Sequence, residues 1–210
     1  MRLTISMKQI FLFISVIAFV NNINAINIDE SNFLEFLSSK KYITAQFSQS
    51  TYKDSQERKV IGEIKANRKG MFKLVYEEPL NEIISSNGYQ LFRLDKEIEQ
   101  LDISPIDDTL FESPIGIFSA SSEELKKIFL VTSCSQKRNH LIKCTLKSKS
   151  DNSFVRDVLI ELYECKLYSL TYTDTFDQKV SLTFSNSSWK TIPDHEFILK
   201  IPEGIDVVNH

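Results

Sequence analysis

Met71-Phe-Lys-Leu-Val-Tyr76 and, a few residues on, Glu82-Ile-Ile-Ser-Ser-Asn87-Gly88-Tyr-Gln-Leu-Phe-Arg-Leu94 decide how this chain folds. In the first run Phe72, Leu74 and Tyr76 alternate with Lys73 and Val75. Period two marks a strand with unlike faces. Phe92 and Leu94 repeat the alternation beyond Asn87-Gly88, a dipeptide that strongly favours a tight hairpin turn. A hairpin of two antiparallel strands follows, and the same signals recur on both sides of it.

Upstream, Ile43, Ala45 and Phe47 alternate with Thr44, Gln46 and Ser48, and a further strand runs over Val60–Ala66. Downstream, strand-like runs occupy Ile98–Ile103, Phe129–Ser133, Leu141–Leu146, Phe154–Tyr163, Leu167–Thr173, Lys179–Phe184 and Glu196–Ile201. Eleven or twelve such strands in succession form an antiparallel meander, which must curl into a barrel or split into two sheets. Two segments break the pattern. Phe33, Leu34, Phe36 and Leu37 make a helical stripe within Asp29–Lys41, with Asp29 or Ser31 as the N-cap. Asp107–Lys127 lacks alternation and predicts two helical turns. The first follows Pro114 and carries Ile115, Ile117 and Phe118; the second is capped by Ser121 or Ser122, with Glu123 and Glu124 at its start and Lys126 and Lys127 at its end. The expected class is mainly β with a few α elements.

The composition agrees: 15 Phe and 7 Tyr against 5 Gly and 5 Pro favour long strands over a loop-rich scaffold. With no repeat or linker, residues 26–210 read as one domain. Residues 1–25 read as a secretory signal peptide, with Arg2 and Lys8, the apolar run Ile10–Val20 and Ala25 at the cleavage site. That run of 11 residues is short of the roughly 20 that span a bilayer. Removing residues 1–25 takes two basic and no acidic residues from a balance of −3, leaving −5. Such a charge argues against nucleic acid and anionic membranes as partners. The exported protein is expected to be soluble.

Cys134, Cys144 and Cys165 are an odd set, so at most two pair internally. A hairpin folded about Asn139 sets Cys134 opposite Cys144; a disulfide and two free thiols are the readings left open there. Cys165 would then be a lone thiol, read as a small hydrophobe. No C-x-x-C, H-E-x-x-H, G-x-S-x-G, P-loop or G-x-G-x-x-G occurs. Asp194-His195-Glu196 reads as a solvated turn, since neighbours in an extended segment face opposite ways. No metal, cofactor or enzymatic activity is expected.

Gly62-Glu-Ile-Lys-Ala-Asn-Arg68-Lys-Gly-Met-Phe72-Lys-Leu-Val-Tyr76-Glu-Glu-Pro79, Ile84-Ser-Ser-Asn87-Gly88, Leu91-Phe-Arg-Leu94 and Glu99-Gln100 together resemble the LolA family of periplasmic outer-membrane lipoprotein carriers. Phe47-Ser-Gln49, Ser113-Pro114, Asp174-Thr-Phe-Asp-Gln178 and Pro202–Val207 extend the resemblance in order over nearly the whole exported chain. Leu74 and Phe92 stand where the family often has tryptophan, and the three cysteines are a departure.

The resemblance implies an incomplete antiparallel β-barrel of about eleven strands with a helical lid. It implies a monomeric carrier that takes acylated lipoproteins from an inner-membrane ABC-type release complex to an outer-membrane receptor. That receptor, LolB, is itself a lipoprotein, and this chain has no cysteine near its cleavage site. Phe47, Phe72, Leu74, Tyr76, Phe92 and Leu94 become the lining of a lipid cavity, Ile115, Ile117 and Phe118 its lid, and Arg68 a gate that hydrogen-bonds the lid. The competing readings are a closed apolar core with an exposed strand-end arginine, and an accessory module that binds lipid or protein without carrying it.

Overall fold

The computed structural model describes residues 27–210, except residues 55, 107–109, 111–112, 138 and 151–152. The signal peptide read in residues 1–25 lies outside the described residues, as does part of the segment before Pro114. Twelve strands form one sheet: β1 Tyr42–Lys53, β2 Gln56–Asn67, β3 Met71–Tyr76, β4 Glu82–Asn87, β5 Gln90–Asp95, β6 Gln100–Pro105, β7 Phe129–Gln136, β8 Leu141–Ser148, β9 Val155–Tyr163, β10 Lys166–Asp174, β11 Lys179–Ser188 and β12 Asp206–Asn209. Their spatial order is β12-β6-β5-β4-β3-β2-β1-β11-β10-β9-β8-β7, so the sheet stays open between β12 and β7. All neighbours are antiparallel except β12, which runs parallel to β6.

Local chemistry sets the turns. Gly88 takes φ +92°, and the Asn87 side-chain oxygen accepts from the amides of Tyr89 and Gln90, so the β4–β5 loop is Gly88-Tyr89. That is one residue beyond the Asn87-Gly88 turn expected. Cys134 and Cys144 stand opposite each other on β7 and β8 and form a disulfide.

Three short helices cover the concave face: α1 Phe33–Ser39, α2 Gly116–Ser119 and α3 Ser122–Ile128. Asn32, not Asp29 or Ser31, is the α1 N-cap. Ser121 caps α3 through a reciprocal box, accepting from the Glu124 amide while the Glu124 carboxylate accepts from its own. α1 and α3 lie against each other and against β7, whereas α2 lies against β2. The core beneath them draws Phe33, Leu37, Leu125, Phe129, Leu146, Val158, Ile160 and Leu162 into one cluster.

The run Glu196–Ile201 is not a strand. Asp194–Phe197 forms a 3-10 helix between Pro193 and Pro202, residues that cannot donate to a ladder. The segment instead lies on the convex face against β3 and β4. Lys65 pairs there with Glu196, and the Lys73 ammonium donates to the Ile198 carbonyl.

Candidate functional site

Register decides which side chains look inward. Phe47 of β1 faces Gly62 of β2, Gly62 faces Tyr76 of β3, and Leu74 faces Ile84 of β4. On the other flank Phe47 faces Phe184 of β11, and Leu182 faces Leu170 of β10. All these residues share the concave face. A Cβ on Gly62 would meet the Val75 carbonyl oxygen at 2.2 Å and the Phe47 ring at 2.8 Å. The glycine therefore lets Phe47 lie flat on the sheet, edge-to-face with Tyr76 at 5.5 Å.

These strands enclose a cavity of about 240 Å³. One wall is Phe47, Ile64, Phe72, Leu74, Tyr76 and Ile84; the other is Leu170, Tyr172, Leu182 and Phe184. Leu110, Ser113, Pro114, Ile115 and Phe118 roof it, with Phe118 set edge-to-face on Phe184 at 6.4 Å. Gln49 is its polar member among the strand residues of β1. Burial pushes the Tyr76 phenol up to about 12 and the Tyr172 phenol higher still.

Arg68 follows the last residue of β2 and reaches under the roof. Its Nη1 donates to the carbonyls of Ile117 at 2.6 Å and Ala120 at 3.1 Å. Nη2 donates to Leu37 at 3.0 Å and Nε to Lys40 at 3.3 Å. Four of the five guanidinium N–H groups are thus spent on carbonyls at the C-terminal ends of α1 and α2, where the peptide dipoles present negative charge. Burial lowers this guanidinium to about 10, so it remains charged at neutral pH. One side chain thus joins the two helices, beside local serine bonds that stay within each helix, Ser39 to the Phe36 carbonyl and Ser119 to the Ile115 carbonyl.

The residues read from sequence divide into two groups. Phe47, Phe72, Leu74, Tyr76, Ile115 and Phe118 line the cavity, and Ile117 is buried beside it. Phe92 and Leu94 do not. Phe92 pairs with Ser85, and Ser85 with Lys73, which places both Phe92 and Leu94 on the convex face. There Leu94 and Leu101 are buried outside the main core, as are Ile192 and Phe197 of the C-terminal segment. The sheet is apolar on both faces at this point, and alternation alone does not say which face looks inward. Ile64, Ile84, Leu170, Tyr172, Leu182 and Phe184 carry no sequence signal that marks them out; Ile64 and Ile84 join the site by pairing with Leu74 on either side of β3, and the other four only because β11 pairs with β1.

An apolar cavity within an open antiparallel sheet, roofed by helices that one arginine ties down, has the form of a container for apolar groups. The family model described as "Outer membrane lipoprotein carrier protein LolA" matches residues 38–200, and the chain belongs to that family. The outer-membrane lipoprotein carrier protein of Hahella chejuensis is 26% identical over 188 residues, covering 88% of this chain and 89% of its own. That of Pseudomonas fluorescens Pf-5 is 24% identical over 183 residues, covering 86% and 87%. Among solved structures, a conserved protein from Thermus thermophilus superposes with a TM-score of 0.55 at 9% identity, over 86% of this chain and 98% of its own. That likeness concerns the fold.

Proposed function

We propose that the chain is a periplasmic, non-enzymatic carrier that holds lipoprotein acyl chains in the cavity bounded by Phe47, Phe72, Leu74 and Tyr76, under a lid gated by Arg68. Each methylene exposed to water costs about 0.8 kcal/mol, so an acylated protein crosses an aqueous compartment only inside an apolar container. The observation that carries this reading is Arg68 joining the ends of α1 and α2 above the cavity. At about 240 Å³ the cavity is smaller than the roughly 300–1,000 Å³ of ordinary ligand pockets. We read this as a closed state, which cargo enters by displacing the roof residues Ser113 to Phe118.

A closed state favoured by the Arg68 bonds competes with bound lipid. That competition lets a receptor of higher affinity take the cargo without nucleotide hydrolysis in the carrier. An inner-membrane ABC-type complex supplies the cargo, an outer-membrane LolB-like receptor accepts it, and the cleaved signal peptide of residues 1–25 places the carrier between them. The test is release of a radiolabelled lipoprotein from spheroplasts by the mature protein, residues 26–210. A soluble one-to-one complex is expected; a folded protein that releases nothing would refute the reading. Arg68→Leu should still accept cargo but deliver it poorly to the receptor, and unimpaired delivery would remove Arg68 from the gate.

A further inference from the structure

The cavity walls are apolar apart from Gln49, Tyr76 and Tyr172, and Ser113 in the roof spends its hydroxyl on the Leu110 carbonyl. Tyr76 of β3 and Tyr172 of β10 approach the cavity from opposite walls, and each bears a hydroxyl. Among the described residues neither hydroxyl has a hydrogen-bond partner within the chain. Both hydroxyls are therefore donors that the chain itself does not use and that stay open to a ligand oxygen in the cavity. The Glu82 carboxylate, whose charge adds to the upward push on Tyr76, is itself taken by Arg93. Burial raises both phenols, so both remain protonated donors at neutral pH.

Gln49 adds a third donor, its Nε2 spending one N–H on the Thr51 hydroxyl at 3.4 Å and keeping the other. It lines the apolar cavity and also a second, polar pocket that carries the concave face on toward the β1–β2 hairpin. That pocket is bounded by Lys53, Arg58, Val60, Leu80 and Gln178. Val60 and Arg58 succeed Ile64 and Gly62 on the same face of β2, and Thr51 and Lys53 succeed Phe47 and Gln49 on β1. One groove thus changes from hydrocarbon-like to hydrogen-bonding along its length, and the change falls at Gln49, Tyr76 and Tyr172.

We propose that the Tyr76 and Tyr172 hydroxyls, with the Gln49 amide, receive the carbonyl of an ester- or amide-linked fatty acyl group. The hydrocarbon then lies toward Phe72 and Phe118, and the polar remainder of the ligand leaves through the pocket beside Arg58 and Gln178. This inference rests on the cavity holding acyl chains, and it adds that the site tells an acyl group from a plain hydrocarbon. An acyl carbonyl accepts but does not donate, and the three side chains supply O–H and N–H donors.

The test compares two probes on the purified mature protein: the methyl ester of a pyrene-labelled long-chain fatty acid, and the pyrene-labelled alkane of equal length. The wild type should bind the ester more tightly. Tyr76→Phe and Tyr172→Phe, which keep the ring and its packing, should each lose about 3- to 10-fold in ester affinity and leave alkane affinity unchanged. Gln49→Leu should act in the same direction. The proposal is overturned if the wild type binds both probes equally, if the double Tyr→Phe variant keeps the ester preference, or if that variant loses both probes alike. Binding of neither probe by folded wild-type protein would overturn the cavity reading as well, which separates the two failures.

Discussion

The two ends of the concave face are built differently from the same alternating strands. Under α1 and α3, the strands β7–β9 present Phe129, Leu146, Val158, Ile160 and Leu162, all fully buried and mutually packed. α3 is capped by its own Ser121–Glu124 box, and the Cys134–Cys144 bond joins the edge strand β7 to β8. Under α2, by contrast, Leu74, Tyr76, Tyr172 and Leu182 are only half-buried, because they face space rather than neighbours. α2 has four residues and no side-chain bond at its N-cap, and Arg68, reaching from the end of β2, holds its C-terminal carbonyls. Isolated helical turns of that length do not persist in water. The lesson is that one end is closed by packing that nothing replaces, the other by hydrogen bonds that can be exchanged for a ligand.

Equal truncations at the two ends give the largest contrast. Leu146→Ala deletes a fully buried side chain and should cost about 2–5 kcal/mol. Leu182→Ala, at the cavity wall, removes contacts that are already incomplete and should cost about 1 kcal/mol while weakening acyl binding. Urea unfolding followed by the single tryptophan, Trp189, reads both. Similar costs at the two positions would break the comparison. Opening the disulfide comes next. Replacing Cys134 and Cys144 by alanine frees a loop spanning 10 residues in sequence and should cost about 2–3 kcal/mol. Acyl binding should survive under conditions where the variant stays folded, and its loss would mean that the sealed end shapes the cavity.

Much of this division is legible in the amino-acid sequence. Alternation locates the strands, and the charge order around Ser121, Glu124 and Lys126 marks α3 as self-sufficient. The arginine after Asn67 stands out through the family resemblance, and its reach to Ile117, 49 residues away, depends on how the chain closes. Alternation fails where both faces of the sheet are apolar. Phe92 and Leu94 alternate as cleanly as Phe72 and Leu74, yet they serve a small second core beneath the C-terminal segment. A strand pattern states that two faces differ without naming the inner one. Tyr172 and Leu182 are hidden for a related reason, since they reach the cavity only because β11 pairs with β1, more than 120 residues earlier. The segment around Phe197 reads as a strand because Phe197, Ile198, Leu199 and Ile201 make a short apolar run, while Pro193 and Pro202 deny it a ladder.

Smaller effects sharpen the same contrast. Ser121→Ala removes the acceptor for the Glu124 amide and should cost about 1 kcal/mol, with Arg68-dependent delivery unchanged because the cap belongs to α3 alone. A delivery defect would show that α3 moves with the lid. The smallest effect is acid sensitivity at the sealed end. Burial opposes the charge on Glu161, but Lys143 and Ser169 outweigh it and hold the carboxyl below its ordinary value of 4.5. A carboxyl lowered on folding contributes stability that is fully present above 4.5 and is lost as pH falls through the lower folded value. Glu161→Gln should therefore flatten the decline of thermal midpoint between neutral pH and about pH 3. Because the pair lies on the convex face of β8 and β9, away from the cavity, it should leave acyl binding untouched throughout the range in which the protein is folded. An unchanged slope in the variant would assign the acid response to other carboxylates, among them Glu196, which Lys65 holds low on the convex face behind the cavity.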